Sequence, residues 1–213
     1  MKKRCVIVSA GDFTSSDYRG FEDFNVHCKE DFIIAADGGY TYLKEMGIIP
    51  DLCIGDFDSL GFAPGDCPIL RLPVEKDCTD TDAAIRQGLA AGCEEFLLFG
   101  MLGGSRLSHT LANLQSLSLL AEKHIPHSLV GNGVFIKALG EGDTAYFHEN
   151  ENLHVSALAI TDTATVTLRG LHYSGEHLPL TNRFPLGVSN STDGKEGYVR
   201  CENGIVLVIT EQK

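Results

Sequence analysis

The stretch DFIIAADGGYTYLKEMG, residues 31–47, contains the unit from which the fold is read. Its first part, DFIIAAD, is apolar without alternation, as a strand covered on both faces should be. Asp37-Gly38-Gly39 breaks the run, and GGYTYLKEMG then reads as a short helix stopped by Gly47. Strand, tight turn and helix in that order form the repeating unit of a parallel sheet.

The same alternation recurs on either side. CVIVSA (5–10), LCIGD (52–56), PILRL (68–72) and EFLLFGM (95–101) are further strand candidates. TDTDAAIRQGLAAG (79–92) predicts a helix with Thr79 as N-cap, Asp82 at the capping-box position and Gly92 as its stop. SHTLANLQSLSLLAEKH (108–124) spaces Leu111, Leu114, Leu117 and Ala121 helically, with Ser108 as N-cap and Pro126 just beyond its end. After Pro126 the pattern changes to short strand-like runs: TAYFHE, LHVSALAI, ATVTLRG and GYVRCENGIVLVIT. Asn203-Gly204 inside the last run predicts a two-residue hairpin. The fold class expected is therefore α/β: an N-terminal parallel-sheet α/β domain (1–128) followed by an all-β domain (129–213), with the boundary somewhere in 125–133.

Composition narrows the function. The chain has 213 residues, 43% hydrophobic and 22% charged, an ordinary globular balance. The apolar run after the basic start MKKR is too short for a signal or a span, so a soluble intracellular protein with no membrane association is expected. Net charge is −12, with 17 Lys and Arg against 29 Asp and Glu, which disfavours nucleic acid as a partner. The seven cysteines form no CxxC pair and read as reduced thiols, in keeping with a cytoplasmic location.

In an open parallel sheet, ligands bind beyond the carboxyl ends of the strands. Acids recur at those ends: Asp37 after the second candidate, Asp56 and Asp58 after the third, and Lys76-Asp77-Cys78-Thr79-Asp80 after the fourth. In extended chain Asp56 and Asp58 would face one point about 6 to 7 Å apart. Such a cluster repels itself unless neutralised, and an oxygen-only donor set favours Mg2+ completed by water and phosphate oxygens. Asp80 and Asp82 would also steady a helix start by about 0.3 to 1 kcal/mol each, and Asp37 before Gly-Gly fits a turn. Those structural roles account for single residues better than for the whole set. The fifth strand end, MLGGSRLSH, is a Gly-rich turn running into a helix, an arrangement that receives phosphate on backbone N–H groups. Arg106 offers phosphate a planar fork, and His109 and Asn113 share a helix face.

At these positions the chain resembles the thiamin pyrophosphokinase family. The likeness rests on ADGGY (36–40), PDLCIGDFDSL (50–60), EKDCTDTDAAI (75–85), GSRLSHTLANL (104–114), GLHYSG (170–175) and GVSNS (187–191), in order along nearly the whole chain. The resemblance implies a transferase with an α/β domain for ATP and Mg2+ and a β-sandwich for thiamin. It implies a homodimer with active sites at the subunit interface, passing the pyrophosphoryl group of ATP to the hydroxyl of thiamin to give thiamin diphosphate and AMP. Asp56, Asp58 and Asp80 would be catalytic and metal-linked; Asp37, Lys76, Asp77, Arg106, His109 and Asn113 would bind ATP; Ser189 and Asn190 would bind thiamin. One carboxylate would accept the hydroxyl proton; Asp80 and Asp58 are candidates, and the sequence does not choose the base. The chain departs from the family at Ser108, where an acid is usual, at Ser191, where Glu is usual, and in having no Trp. An aromatic platform for thiamin would then fall to Tyr173 or Phe184. Two other readings stand beside this one: a haloacid-dehalogenase-like phosphatase, which leaves the β-rich half unexplained, and a non-catalytic thiamin or nucleotide sensor.

Overall fold

The structure is a computed structural model that describes residues 2–58 and 60–213. Ser59, beside the paired acids, lies outside the described residues. The fold is mixed α/β, and the chain divides into two compact units: Met1–Ser116 with His127–Asn132, and Leu117–Pro126 with Gly133–Lys213.

The first unit is built on β1 (Arg4–Val8), β2 (Phe32–Ala36), β3 (Leu52–Gly55), β4 (Ile69–Arg71), β5 (Glu95–Phe99) and β6 (His127–Gly131). Their order across the sheet is β6-β5-β1-β2-β3-β4, and every neighbouring pair among them is parallel, with Val6 beside Ile33 and Leu97. Val6, Val8, Ile33, Ala35, Leu97 and Phe99 pack into a core on one face, and the alternating Ile7, Ile34, Phe96 and Leu98 are buried as well, which accounts for the unbroken apolarity. PILRL does not fit that expectation: β4 is an edge strand with Ile69 and Arg71 exposed, and with one neighbour it needs no second apolar face. HSLVG (127–131), not read from sequence as a strand, is β6.

Four α-helices are found among the described residues: α1 (Ser15–Asp23), α2 (Gly39–Glu45), α3 (Asp80–Ala90) and α4 (Leu107–Glu122). The first was missed, although Thr14-x-x-Asp17 is a helix-start signal; Asp17 accepts from the Thr14 backbone N–H at 2.9 Å and from its hydroxyl at 2.7 Å. Thr79 does cap α3, accepting from the Asp82 amide at 3.1 Å, and Gly92 ends it at φ +80°. Ser108 is not a cap, because α4 already begins at Leu107.

The second unit contains β7 (Val134–Leu139), β8 (Thr144–Phe147), β9 (Leu153–Ala159), β10 (Thr163–Arg169), β11 (Gly175–Thr181), β12 (Asn190–Ser191), β13 (Gly197–Asn203) and β14 (Val206–Gln212). One antiparallel sheet runs β11-β10-β13-β8, and a second antiparallel set runs β12-β9-β14-β7. Alternate residues of both, including Val155 and Val208 from one and Val166 and Val199 from the other, share one core. Asn203-Gly204 is not a hairpin turn. β13 pairs with β8 and β10 while β14 pairs with β7 and β9, so the dipeptide carries the chain from one sheet to the other. Gly204, at φ +78°, passes so close to Thr163 that an added Cβ would lie 2.5 Å from its carbonyl oxygen. Among the described residues no helix is long and apolar enough to cross a membrane.

Candidate functional site

The site in the first unit begins where β2 ends. Asp37 takes a left-handed conformation at φ +46°, and its amide donates to the Ile54 carbonyl at 2.7 Å. The chain then turns hard into α2, so close to β1 that a Cβ on Gly39 would lie 2.0 Å from the Val8 carbonyl oxygen. Gly55 allows the next approach, since a Cβ there would be 3.2 Å from that of Asp37.

Asp56 and Asp58 converge through a turn, and not through the extended chain expected. Phe57 between them is buried and left-handed at φ +65°. Its ring lies under the Arg71 guanidinium at 5.4 Å, while Arg71 Nη1 donates to the Asp56 carbonyl at 3.3 Å. The Asp58 amide donates to Asp56 Oδ1 at 3.2 Å. The result is tighter than the extended estimate: one carboxylate oxygen each from Asp37, Asp56 and Asp58 lies within 4.8 Å of the others.

Asp80, the fourth acid, meets this set through a cation. Lys76 Nζ is 3.2 Å from Asp56 Oδ2 and 2.9 Å from Asp80 Oδ1, and all three side chains are largely buried. The Asp58 amide, with help from Lys76, holds the Asp56 carboxyl below the usual range against the opposing effect of burial. Burial pushes the Lys76 ammonium down, but Asp80 and Asp56 outweigh it and leave the group above its ordinary value. Asp82 is occupied elsewhere, paired with Arg86 at 2.8 Å one helical turn on.

These groups line a hollow of about 330 Å³ with Ala10, Thr79, Thr81, Arg106 and His109. A smaller hollow of about 90 Å³ adjoins it through Arg106 and His109 and follows the Gly103-Gly104 turn. The hollow thus holds Asp37, Asp56, Asp58, Lys76, Asp80, Arg106 and His109. Asp77 is exposed and does not line it. Asn113 is buried, and its amide donates to the Met101 carbonyl at 2.8 Å, fixing the end of the strand that feeds the Gly-rich turn. Several lining residues escaped the sequence reading, Thr81 and Ala10 among them. Thr81 bonds the buried Ser9 hydroxyl at 2.9 Å across to β1, and Ala10 follows β1 itself. Their signal was position alone, at a helix start and a strand end. The donor set is three hard carboxylates beside two cations, which suits a divalent ion together with a polyphosphate.

In the second unit, Asn190 is buried and occupied by backbone. Its Oδ1 accepts from Tyr173 N at 2.9 Å and Ser191 N at 2.8 Å, while Nδ2 donates to the Tyr173 carbonyl at 2.7 Å. It therefore clamps the segment that presents Tyr173. Ser189 is exposed at φ +63°, and Tyr173 and Phe184 are also exposed. Phe184 lines a separate hollow of about 240 Å³ with Leu180, Arg183 and Pro185.

Residues 25–129 match the family described as thiamin pyrophosphokinase, catalytic domain. Over 183 residues the chain is 28% identical to thiamine pyrophosphokinase of Bacillus subtilis, covering 83% of this chain and 85% of the relative. The crystal structure of a B. subtilis thiamine pyrophosphokinase superposes with a TM-score of 0.82 at 24% identity, covering 99% of this chain and all of that one. Thiamin pyrophosphokinase from Candida albicans gives 0.76 at 16% identity, covering 100% of this chain and 90% of its own. At those identities the two structures speak for the fold.

Proposed function

The chain belongs to the thiamin pyrophosphokinase family and is an enzyme of that family, and from that premise we propose that it transfers the pyrophosphoryl group of ATP to the hydroxyl of thiamin, with Mg2+, releasing AMP. The observation that carries this reading is the meeting of Asp37, Asp56 and Asp58 within 4.8 Å in a hollow that also holds Lys76, Arg106 and His109.

Mg2+ would be held by Asp56 and Asp58 with Asp37, and when bound it supplies positive charge against the oxygens of the triphosphate. Asp80 completes the acidic set from across Lys76, fixing that ammonium where phosphate oxygens would lie. Arg106 and His109, beside the Gly-rich turn, orient the nucleotide phosphates, and Asn113 holds the strand end beneath that turn. Asp77, exposed outside the hollow, is the remaining residue proposed for ATP binding. Pyrophosphoryl transfer demands in-line placement and neutralised charge more than covalent help from the protein, and these residues offer both. Residues 1–128 form the ATP and Mg2+ domain in this proposal, and 129–213 a β-sandwich in which Ser189 and the segment clamped by Asn190 receive thiamin. The enzyme works as a cytoplasmic homodimer with active sites at the subunit interface.

The test is incubation of the purified chain with ATP, Mg2+ and thiamin. AMP and thiamin diphosphate should appear in equal amounts; ADP or free phosphate in their place rejects pyrophosphoryl transfer.

A further inference from the structure

We propose that Cys53 and Cys67 form a redox modification site, a reversible intramolecular disulfide that ties together the two ends of the loop carrying Asp56 and Asp58. Cys53 lies in β3 and is fully buried; Cys67 stands just before β4 and is partly open to solvent. Their sulfurs are 3.1 Å apart. The two segments run side by side: Cys53 N donates to the Pro68 carbonyl at 2.9 Å, and Cys53 stands in register with Ile69, two residues beyond Cys67. Beside Cys67, Asp66 is held by the Tyr40 hydroxyl at 2.8 Å, which keeps the loop's returning end in register. Phe57, Leu60 and Ala63 of the same loop pack into the core that contains Cys53 and against which Cys67 also packs, so the acidic turn and this pair share one packed core.

A small-molecule disulfide serves as oxidant. The Cys67 thiolate attacks one of its sulfurs, forming a mixed disulfide and releasing one thiol, which takes up the Cys67 proton. Cys53 then attacks Cys67 Sγ, the protein disulfide forms, and a second thiol leaves with the Cys53 proton. Two protein thiols are oxidised and one external disulfide is reduced. Burial raises both thiols above their ordinary range, Cys53 further than Cys67, which assigns the first attack to Cys67. Cys5 and Cys93 also adjoin one another, but both are buried, so an external disulfide has no approach to them.

A disulfide of about 2.05 Å requires the sulfurs to close by about 1 Å. That movement draws the loop end toward β3, and a displacement of this size passed on to Asp56 and Asp58 would cost about 10²-fold in a positioned reaction. The effect on turnover rests on the proposed pyrophosphoryl transfer, whereas formation of the bond does not.

The experiment treats the full chain with oxidised glutathione, maps unreduced peptides by mass spectrometry, and assays AMP formation before and after dithiothreitol. Expected are a Cys53–Cys67 linked peptide, turnover lower by at least about tenfold, and recovery on reduction; Cys67→Ser should give no link and keep its turnover under the same oxidant. Free thiols at both positions, or a mixed disulfide that stops at Cys67, would overturn the proposed bond. A complete link with unchanged turnover, or equal inhibition of Cys67→Ser, would overturn its coupling to the acidic loop. A chain that never forms AMP defeats the proposed function and leaves the bond to be decided by the peptide map.

Discussion

Lys76 shows what single residues contribute to the acidic edge. It lies between Asp56 and Asp80, and without it two largely buried carboxylates would face each other with nothing between them. Asp56 is the residue shared by every part of this arrangement: it touches Lys76, receives the Asp58 amide and belongs to the three-acid set. Asp56→Asn keeps the shape and removes the charge. We expect turnover to fall about 10²-fold or more while the KM for thiamin changes little, measured by steady-state kinetics at saturating ATP; a rise in thiamin KM with turnover intact would contradict the assignment. The types of these residues and their positions at strand ends were legible in the sequence. The partners of each polar atom were not. Asn113 and Asn190 look like ligand contacts in a one-dimensional motif, yet their amides are spent on the Met101 carbonyl and the Tyr173 backbone, a fact set by how loops fold back on them. For the same reason the sequence could not rank Asp37 above Asp80 as a member of the close set.

Among the elements, legibility follows whether a signal is local. Thr79 and Asp82 are three residues apart and make their bond within one turn of α3, so the cap could be read directly. Thr79→Ala should lower unfolding free energy by about 1 kcal/mol, seen as a reduced midpoint in urea, and because Thr79 lines the hollow the loss should be accompanied by weaker nucleotide binding. Asn203-Gly204 carries an equally local signal for a sharp turn, but which strands flank that turn is settled by pairing across the second unit, and the pairing separates β13 from β14. Nor was any sign visible of the polar set that ties three neighbouring strands: Glu202 on β13 accepts from Thr167 on β10 at 2.6 Å and meets His177 on β11 at 2.6 Å. The Thr167 hydroxyl and then His177 hold the Glu202 carboxyl below its ordinary value, and Glu202 holds the His177 imidazole above its own. The stabilisation from Glu202 is present above the ordinary carboxylate pKa of 4.5 and is lost as pH falls through its lowered folded value. That from His177 is complete below 6.5 and is lost as pH rises through its raised folded value. Glu202→Gln should therefore reduce the melting temperature most between those two pKa values, with the deficit shrinking as pH rises through the raised folded value of His177; a deficit independent of pH would mean that the Thr167 bond alone matters.

At the scale of the whole molecule, the change from alternating helices and strands to strands alone after Pro126 could be read from periodicity, because helix and strand repeats differ along any window. The order β6-β5-β1-β2-β3-β4 could not, since neighbouring strands are set by crossovers that leave no mark in either run. Net charge is the one global property the sequence states outright. At −12, the molecule draws cations from solution and repels anions, and its hollow combines carboxylates with only a few fixed cations. The two proposed substrates carry opposite charge, so salt should separate them. Raising ionic strength from about 0.01 to about 0.15 M shortens the screening length from about 30 to about 8 Å. The ratio kcat/KM for thiamin, whose thiazolium is a permanent cation, should fall severalfold over that range, while that for the anionic Mg-nucleotide should hold steady or rise. Initial rates at subsaturating concentrations of each substrate, with free Mg2+ held constant, measure both slopes. If thiamin gains with salt, the long-range field of this chain opposes its proposed substrate, and recognition must come from short-range contacts alone.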